Sequence, residues 1–356
     1  MAFYPSKDAP IIARLKVLGA VLCGKNNMHE LSFGVTSRNG LGGSVENPMY
    51  PGRIAGGSSG GSATAVAAGV SAFSVGTDTG GSVRIPAALC GLAGFRPSTG
   101  RYPCEGIVPV SRTKDTPGFI APTVSDLAML DSAVMNESPI TSCLPLRIGL
   151  PDEFMWRHLD ESVQTTSMAA VKRLERAGVE IIKFDDSLLG ELNANIQFPV
   201  PFFEFFIDFP RFLLEHRITT DFDSILSQIS DPTVFGILNK QIAQEHVTWN
   251  DYMVGLKSIE QLRACWCQIF KDLQLDSIIY PTVSCEVPHI EDADKPEVFH
   301  KLIRNTDIAS SVGAPSVTIP VAGKGRMSVG LSLDGLPKAD RKIISQALAI
   351  EAILQR

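Results

Sequence analysis

Two serines set in glycine-rich loops constrain this chain more than any other feature. Ser58 lies in Gly56-Gly57-Ser58-Ser59-Gly60-Gly61-Ser62, and Ser82 in Gly76-Thr77-Asp78-Thr79-Gly80-Gly81-Ser82-Val83-Arg84-Ile85-Pro86. Glycine carries no Cβ, so the backbone there bends sharply and approaches a ligand closely. Between the loops, residues 63–72 are small and read as a close-packed helix starting at the first loop. Residues 73–75 then read as a strand feeding the second. The two loops therefore form two walls of one site.

Thr79-Gly80-Gly81-Ser82 offers a hydroxyl preceded by unhindered backbone N–H groups. That combination suits a nucleophile with a peptide-built oxyanion hole, in which each donor contributes roughly 3 kcal/mol of barrier lowering. A serine at its normal pKa is a poor nucleophile and needs a base. None of the six histidines sits in a Gly-x-Ser-x-Gly pattern with a late His. His29, beside Glu30, reads as structural. Ser58 is the better relay, with a lysine expected behind it. A phosphate-binding loop at 56–62 is excluded because no Gly-Lys-Ser/Thr ending follows.

The 356 residues are 44% hydrophobic and 20% charged, with a formal charge of −6, as in a globular enzyme. An acidic chain without a basic run disfavours nucleic acid or an anionic membrane as partner. Seven scattered cysteines read as reduced structural residues of a cytoplasmic protein. No metal-ligand spacing occurs, and neither metal nor cofactor is expected.

Along the chain, Asp8 is expected to cap a helix that admits Pro10 in its first turn, and 20–24 to form a short buried strand. Thr123 and Asp126 form a capping-box signature opening a helix to about 135. Strand 146–150, helix 160–177 and strand 179–182 follow. Late strands are expected at 277–281, 316–320 and 329–333, with a closing helix over 338–354. The alternation argues for an α/β sheet covered by helices. Residues 190–268 are helical in pattern and rich in aromatics, forming a subdomain core of which part lines an apolar substrate pocket.

Through its two serine loops the chain resembles the amidase-signature hydrolases, which use a Ser–cis-Ser–Lys triad. The match also covers Gly24-Lys25-Asn26-Asn27-Met28-His29-Glu30-Leu31, Gly94-Phe95-Arg96-Pro97-Ser98-Thr99-Gly100-Arg101, and 330–341. Within the family, residues 29–37 and 106–109 are most similar to mandelamide and indoleacetamide hydrolases. The resemblance implies an α/β amidase-signature fold, a central mixed twisted sheet with helices on both faces, missing its N-terminal portion. It implies one domain over 1–356, with 1–135 as the core holding both loops and about 185–270 as a variable substrate-side region.

The resemblance assigns Ser82 as acyl-enzyme nucleophile and Ser58 as the serine preceded by a cis peptide bond. Backbone N–H groups of Thr79, Gly80, Gly81 and Ser82 form the oxyanion hole, and Asp78 and Arg84 brace the loop. The expected reaction is hydrolysis of a small aryl- or indolyl-acetamide-like primary amide to acid and ammonia. A homodimer is the assembly left open. The alternatives are the amidase subunit of a tRNA-dependent amidotransferase and an inactive truncated homologue. The family's lysine lies several tens of residues before the Gly-Lys-x-Asn-Met segment, whereas only 24 residues precede Lys25. Lys7, Lys16 and Lys25 do not match it. The expectation is an amidase shortened at its amino end, impaired in activity, with apolar surface exposed near residues 1–25.

Overall fold

A computed structural model describes residues 5–144, 146–242, 247–321 and 327–355. Eight strands form one sheet: β1 (Ser74–Asp78), β2 (Ala93–Arg96), β3 (Thr116–Ala121), β4 (Arg147–Pro151), β5 (Glu180–Phe184), β6 (Ser277–Pro281), β7 (Ser316–Val321) and β8 (Val329–Asp334). Their order is β1-β3-β2-β7-β8-β6-β4-β5. The β4/β5 and β4/β6 pairs are parallel and the others antiparallel, so the sheet is mixed, as expected.

Strand alternation sorts the two faces. Ile279, Val317, Ile319, Leu331 and Leu333 join a core with Ile343 and Ile350 of the closing helix Asp340–Gln355. Their neighbours turn to the other face, where Ile278 and Tyr280 pack with Trp266. That second face also carries buried polar groups: Tyr280 donates to Asp334 at 2.5 Å, and Ser316 lies 3.5 Å from Arg84. Polar side chains in a sheet interior need partners. Asp334 of the neighbouring strand serves Tyr280, and Arg84 of the helix Arg84–Leu89 serves Ser316.

The capping box at Thr123/Asp126 forms, with Asp126 N–H donating to Thr123 Oγ1 at 3.1 Å, and opens helix Val124–Met135. The first helix runs Pro10–Val17, but Asp8 does not cap it; its carboxylate pairs with Lys16 at 2.7 Å instead. Helix Gly60–Ala67 begins and ends earlier than its small-residue run suggests. Gly69 turns the chain with φ +70°, a conformation that ends helices readily.

One expected strand is absent. Residues 20–24 form no ladder, and Val21 and Leu22 are 83% and 55% exposed. An apolar run becomes a strand only where an edge is free to pair with it. On β1, which ends the sheet, Ser62 Oγ donates to the Val75 carbonyl at 3.0 Å, and Ser59 Oγ takes the Thr77 N–H at 3.3 Å. The exposed apolar side chains near the amino end also include Val17 and Leu18.

The aromatic stretch is helical over Ser187–Ala194, Pro199–Glu215, Phe222–Leu226, Pro232–Ile242 and Trp249–Asp272. Residues 243–246 of that expectation lie outside the described residues. Phe202, Phe205, Phe209 and Phe212 repeat at helical spacing and are buried with Phe33 and Val110. Burying each phenyl ring contributes about 2–3 kcal/mol. No helix among the described residues is long and apolar enough to cross a membrane. All seven cysteines are free.

Candidate active site

The strand–loop–helix from β1 to helix Arg84–Leu89 places Ser82, and the start of helix Gly60–Ala67 places Ser58. The Gly57–Ser58 peptide bond is cis. The Ser58 carbonyl accepts from the His29 N–H at 3.0 Å and from Ser37 Oγ at 3.0 Å, and Ser37 Oγ in turn accepts the Gly60 N–H at 2.9 Å. The two loops meet through the backbone, where Ser59 N–H donates to the Ser82 carbonyl at 3.2 Å. The hydroxyls themselves are not hydrogen-bonded to each other. Ser58 Oγ is fully buried with no partner among the described residues, whereas Ser82 faces a cavity. Ser58 Oγ is thus buried while the carbonyl of the same residue is claimed from two sides.

The Thr79–Ser82 loop is fixed by its carbonyls. Arg96 Nη1 donates to the Asp78 carbonyl, Thr306 Oγ1 to that of Gly80 at 2.6 Å, and Ile85 N–H to that of Gly81 at 2.7 Å. Because C=O and N–H oppose each other across a trans peptide, anchoring each carbonyl aims the next N–H. The N–H groups of Thr79, Gly81 and Ser82 are thereby held in set directions, which is what a preorganised anion site requires. Gly81 has φ +135°, and a Cβ there would collide with the Thr306 hydroxyl, so only glycine fits.

Asp78 and Arg84 pair across the two ends of the loop. Arg84 Nε and Nη2 fork onto Asp78 Oδ2 and Oδ1 at 3.0 and 2.9 Å, and Val83 N–H donates to Oδ2 at 3.2 Å. A third member was not anticipated: Arg96 Nη1 reaches Asp78 Oδ1 at 3.0 Å. Its trace in the sequence is a charge following the apolar run Leu92-Ala93-Gly94-Phe95. Burial pushes the Asp78 carboxyl upward, but the Arg84 and Arg96 guanidiniums overcome it and hold it well below the usual carboxylate range.

The cavity beside Ser82 has a volume of about 400 Å³. Thr79, Gly80 and Ser82 lie on one wall, and Phe33, Phe198, Phe202, Phe299 and Val110 are among the apolar residues of the others. Phe33 and Phe202 stack with centroids 5.7 Å apart, and Phe198 stands 5.7 Å from Phe202 and 5.9 Å from Phe299. Phe198 and Phe202 of the aromatic stretch thus line the cavity, while Phe205, Phe209 and Phe212 are buried in the cluster beside it. Lys114 and Asp307, paired at 2.7 Å, also line the cavity and were missed, because 193 residues separate them. Burial lowers the Lys114 ammonium, an effect Asp307 opposes.

His29 lines the cavity too, but burial lowers its imidazole to about 4 against the pull of Asp231, so it is neutral at pH 7. Behind the loop, Thr79 Oγ1 donates to Asp115 Oδ1 at 2.5 Å. Burial raises the Asp115 carboxyl to about 6, even though the Thr79 hydroxyl and the N–H groups of Ser111 and Val110 donate to it. A larger cleft of about 810 Å³, lined by Lys7, Arg112, Arg211, Asp208 and Glu215, includes neither serine. Among the described residues no cluster of His, Cys, Asp and Glu could hold a metal ion.

The amidase family model matches residues 1–344. The chain is 45% identical to an indoleacetamide hydrolase of Pseudomonas savastanoi over 355 residues, covering 99% of this chain and 78% of that one. It is 41% identical to that of Pantoea agglomerans pv. gypsophilae, covering 98% and 77%. A solved amidase superposes with a TM-score of 0.84 at 30% identity, covering 99% of this chain and 79% of the other. A glutamyl-tRNA(Gln) amidotransferase subunit from Thermotoga maritima gives 0.77 at 25% identity, covering 97% and 76%. Likeness of this extent, over both serine loops and the sheet that carries them, makes the chain a member of the amidase family of amide-hydrolysing enzymes.

Proposed function

We propose that this protein hydrolyses a primary arylacetamide of the indole-3-acetamide class through an acyl-enzyme on Ser82. The observation that carries the reading is the phenylalanine-lined cavity opening on Ser82 and the Thr79–Gly80 backbone. A flat aromatic ring gains most from burial against such a wall, and the primary amide would then lie beside Ser82 and the Thr79–Gly80 backbone. The curated relatives at 45% identity act, by name, on indoleacetamide. A polar glutamine side chain, the donor of an amidotransferase, has less to gain in this cavity.

In the proposed reaction Ser82 Oγ attacks the amide carbonyl as its proton passes to Ser58. The oxyanion accepts from the backbone N–H groups of Thr79, Gly80, Gly81 and Ser82. The C–N bond breaks, ammonia leaves with the returned proton, and water then cleaves the ester to the carboxylic acid. The Ser58 hydroxyl, buried without a described partner, suits a relay whose other side faces a base. The amidase-signature resemblance makes that base a lysine, and no described residue hydrogen-bonds to Ser58 Oγ.

Ammonia release from indole-3-acetamide, phenylacetamide, mandelamide and glutamine, with labelling by a fluorophosphonate probe, tests the reading. Turnover of the aryl amides in preference to glutamine, with labelling lost in Ser82→Ala, is expected. A chain that releases no ammonia and takes no probe is an inactive homologue, and the proposal fails.

A further inference from the structure

We propose that Lys114, Thr306 and Asp307 are positioning residues that clamp the oxyanion-binding loop, an inference that rests on the acyl-enzyme reading. Lys114 and Asp307 form an ion pair in an unfavourable place. Nζ and Oδ1 stand 2.7 Å apart with both side chains 1% exposed, at the edge of a largely apolar cavity that four phenylalanines help to line. Desolvating two charges consumes much of their attraction, so such a pair is weak as a stabilising device. Its neighbours show what it holds.

Each member belongs to a dipeptide that grips one residue of the loop. Thr306 Oγ1 donates to the Gly80 carbonyl at 2.6 Å, and Asp307 lies against the same glycine, where an added Cβ would stand 2.8 Å from its Oδ1. On the other side, Asp115 accepts the Thr79 hydroxyl at 2.5 Å. The Lys114–Asp307 bond ties the two grips together. Both ends are secured: Asp307 Oδ2 accepts from Asn193 Nδ2 at 2.9 Å, and Glu204 takes the Ser111 hydroxyl at 2.5 Å and the Thr113 N–H at 3.1 Å.

The charge arrangement also matters. Paired, the two side chains present no net charge to the loop. Without Lys114, the Asp307 carboxylate would stand unopposed against Gly80, next to the oxygen that becomes negative during acylation. Loss of the lysine should therefore slow acylation more than it weakens binding.

The test compares the full chain with Lys114→Met, Lys114→Arg, Lys114→Met/Asp307→Asn and Thr306→Val. It reads kcat and KM on indole-3-acetamide, the labelling rate of Ser82 by a fluorophosphonate probe, and the melting temperature. Lys114→Met is expected to lower kcat and the labelling rate about 100-fold with KM within about threefold. The double variant should recover about tenfold of that loss, and Lys114→Arg most of it. Thr306→Val, which keeps the shape of the side chain, should lose about tenfold in kcat and serves where Lys114→Met does not fold. Unchanged kcat in folded Lys114→Met or in Thr306→Val, a loss confined to KM, or a double variant no faster than the single one overturns the inference alone. A wild-type chain with neither turnover nor labelling overturns the acyl-enzyme reading and the clamp with it.

Discussion

Arg84 forks onto Asp78 with both side chains wholly out of water, Nε to Oδ2 at 3.0 Å and Nη2 to Oδ1 at 2.9 Å. Asp78 ends β1 and Arg84 opens the helix after the loop, so this fork pins the two ends of the segment that presents Ser82.

Truncating the fork should be severe. Arg84→Met leaves Asp78 with Arg96 as its remaining guanidinium partner and removes the donor from which the Ser310 hydroxyl accepts at 2.7 Å. An expected loss of about 3 kcal/mol follows from leaving a buried charge under-compensated. Denaturant unfolding checks it, and a loss below about 1 kcal/mol would show the fork to be dispensable.

Phe198 offers a test of the pocket wall that leaves the serines alone. Its ring contacts those of Phe202 and Phe299. Phe198→Ala should raise KM for an arylacetamide about tenfold, since roughly half of a ring contact is lost, with kcat changed little. Acetamide, which has no ring, should show no such shift. Equal effects on both substrates would place the aromatic group elsewhere.

Asp334 supplies a pH signature. Burial raises its carboxyl to about 6, above its value in the unfolded chain, against the opposing pull of Arg84 and of hydrogen bonds from Ser316 and Tyr280. The native state therefore binds more protons than the unfolded one between about pH 4 and pH 6. This contribution to stability is full at low pH and disappears as pH rises through 6. Asp115 acts in the same sense, and His29, lowered to about 4, in the opposite one. Asp334→Asn isolates one group. Its stability relative to wild type should improve by about 1 kcal/mol from pH 5 to pH 7. Urea titrations at the two pH values measure the difference, and an identical gap at both would refute the shift.

The site was legible where its chemistry is local. Ser58, Ser82, Asp78 and Arg84 fall within 27 residues, and their glycines announce backbone geometry directly. The capping box at Thr123 and the late strands were legible for the same reason, since pattern and structure share one short window. Lys114, Thr306 and Asp307 were not, because their meaning arises only when the sheet brings β3 and the segment before β7 to one loop. Residues 20–24 show the converse. Their apolar run satisfies the local rule for a strand, yet pairing depends on an edge elsewhere, and that edge is already occupied by serine hydroxyls.

The bond from Thr306 to the Gly80 carbonyl spans 226 positions of chain. During synthesis both serines emerge long before the residue that shapes the loop between them. A nascent polypeptide that has reached only about residue 300 would carry the full reactive motif without its clamp, and so should remain inert towards amides until its last strands have docked.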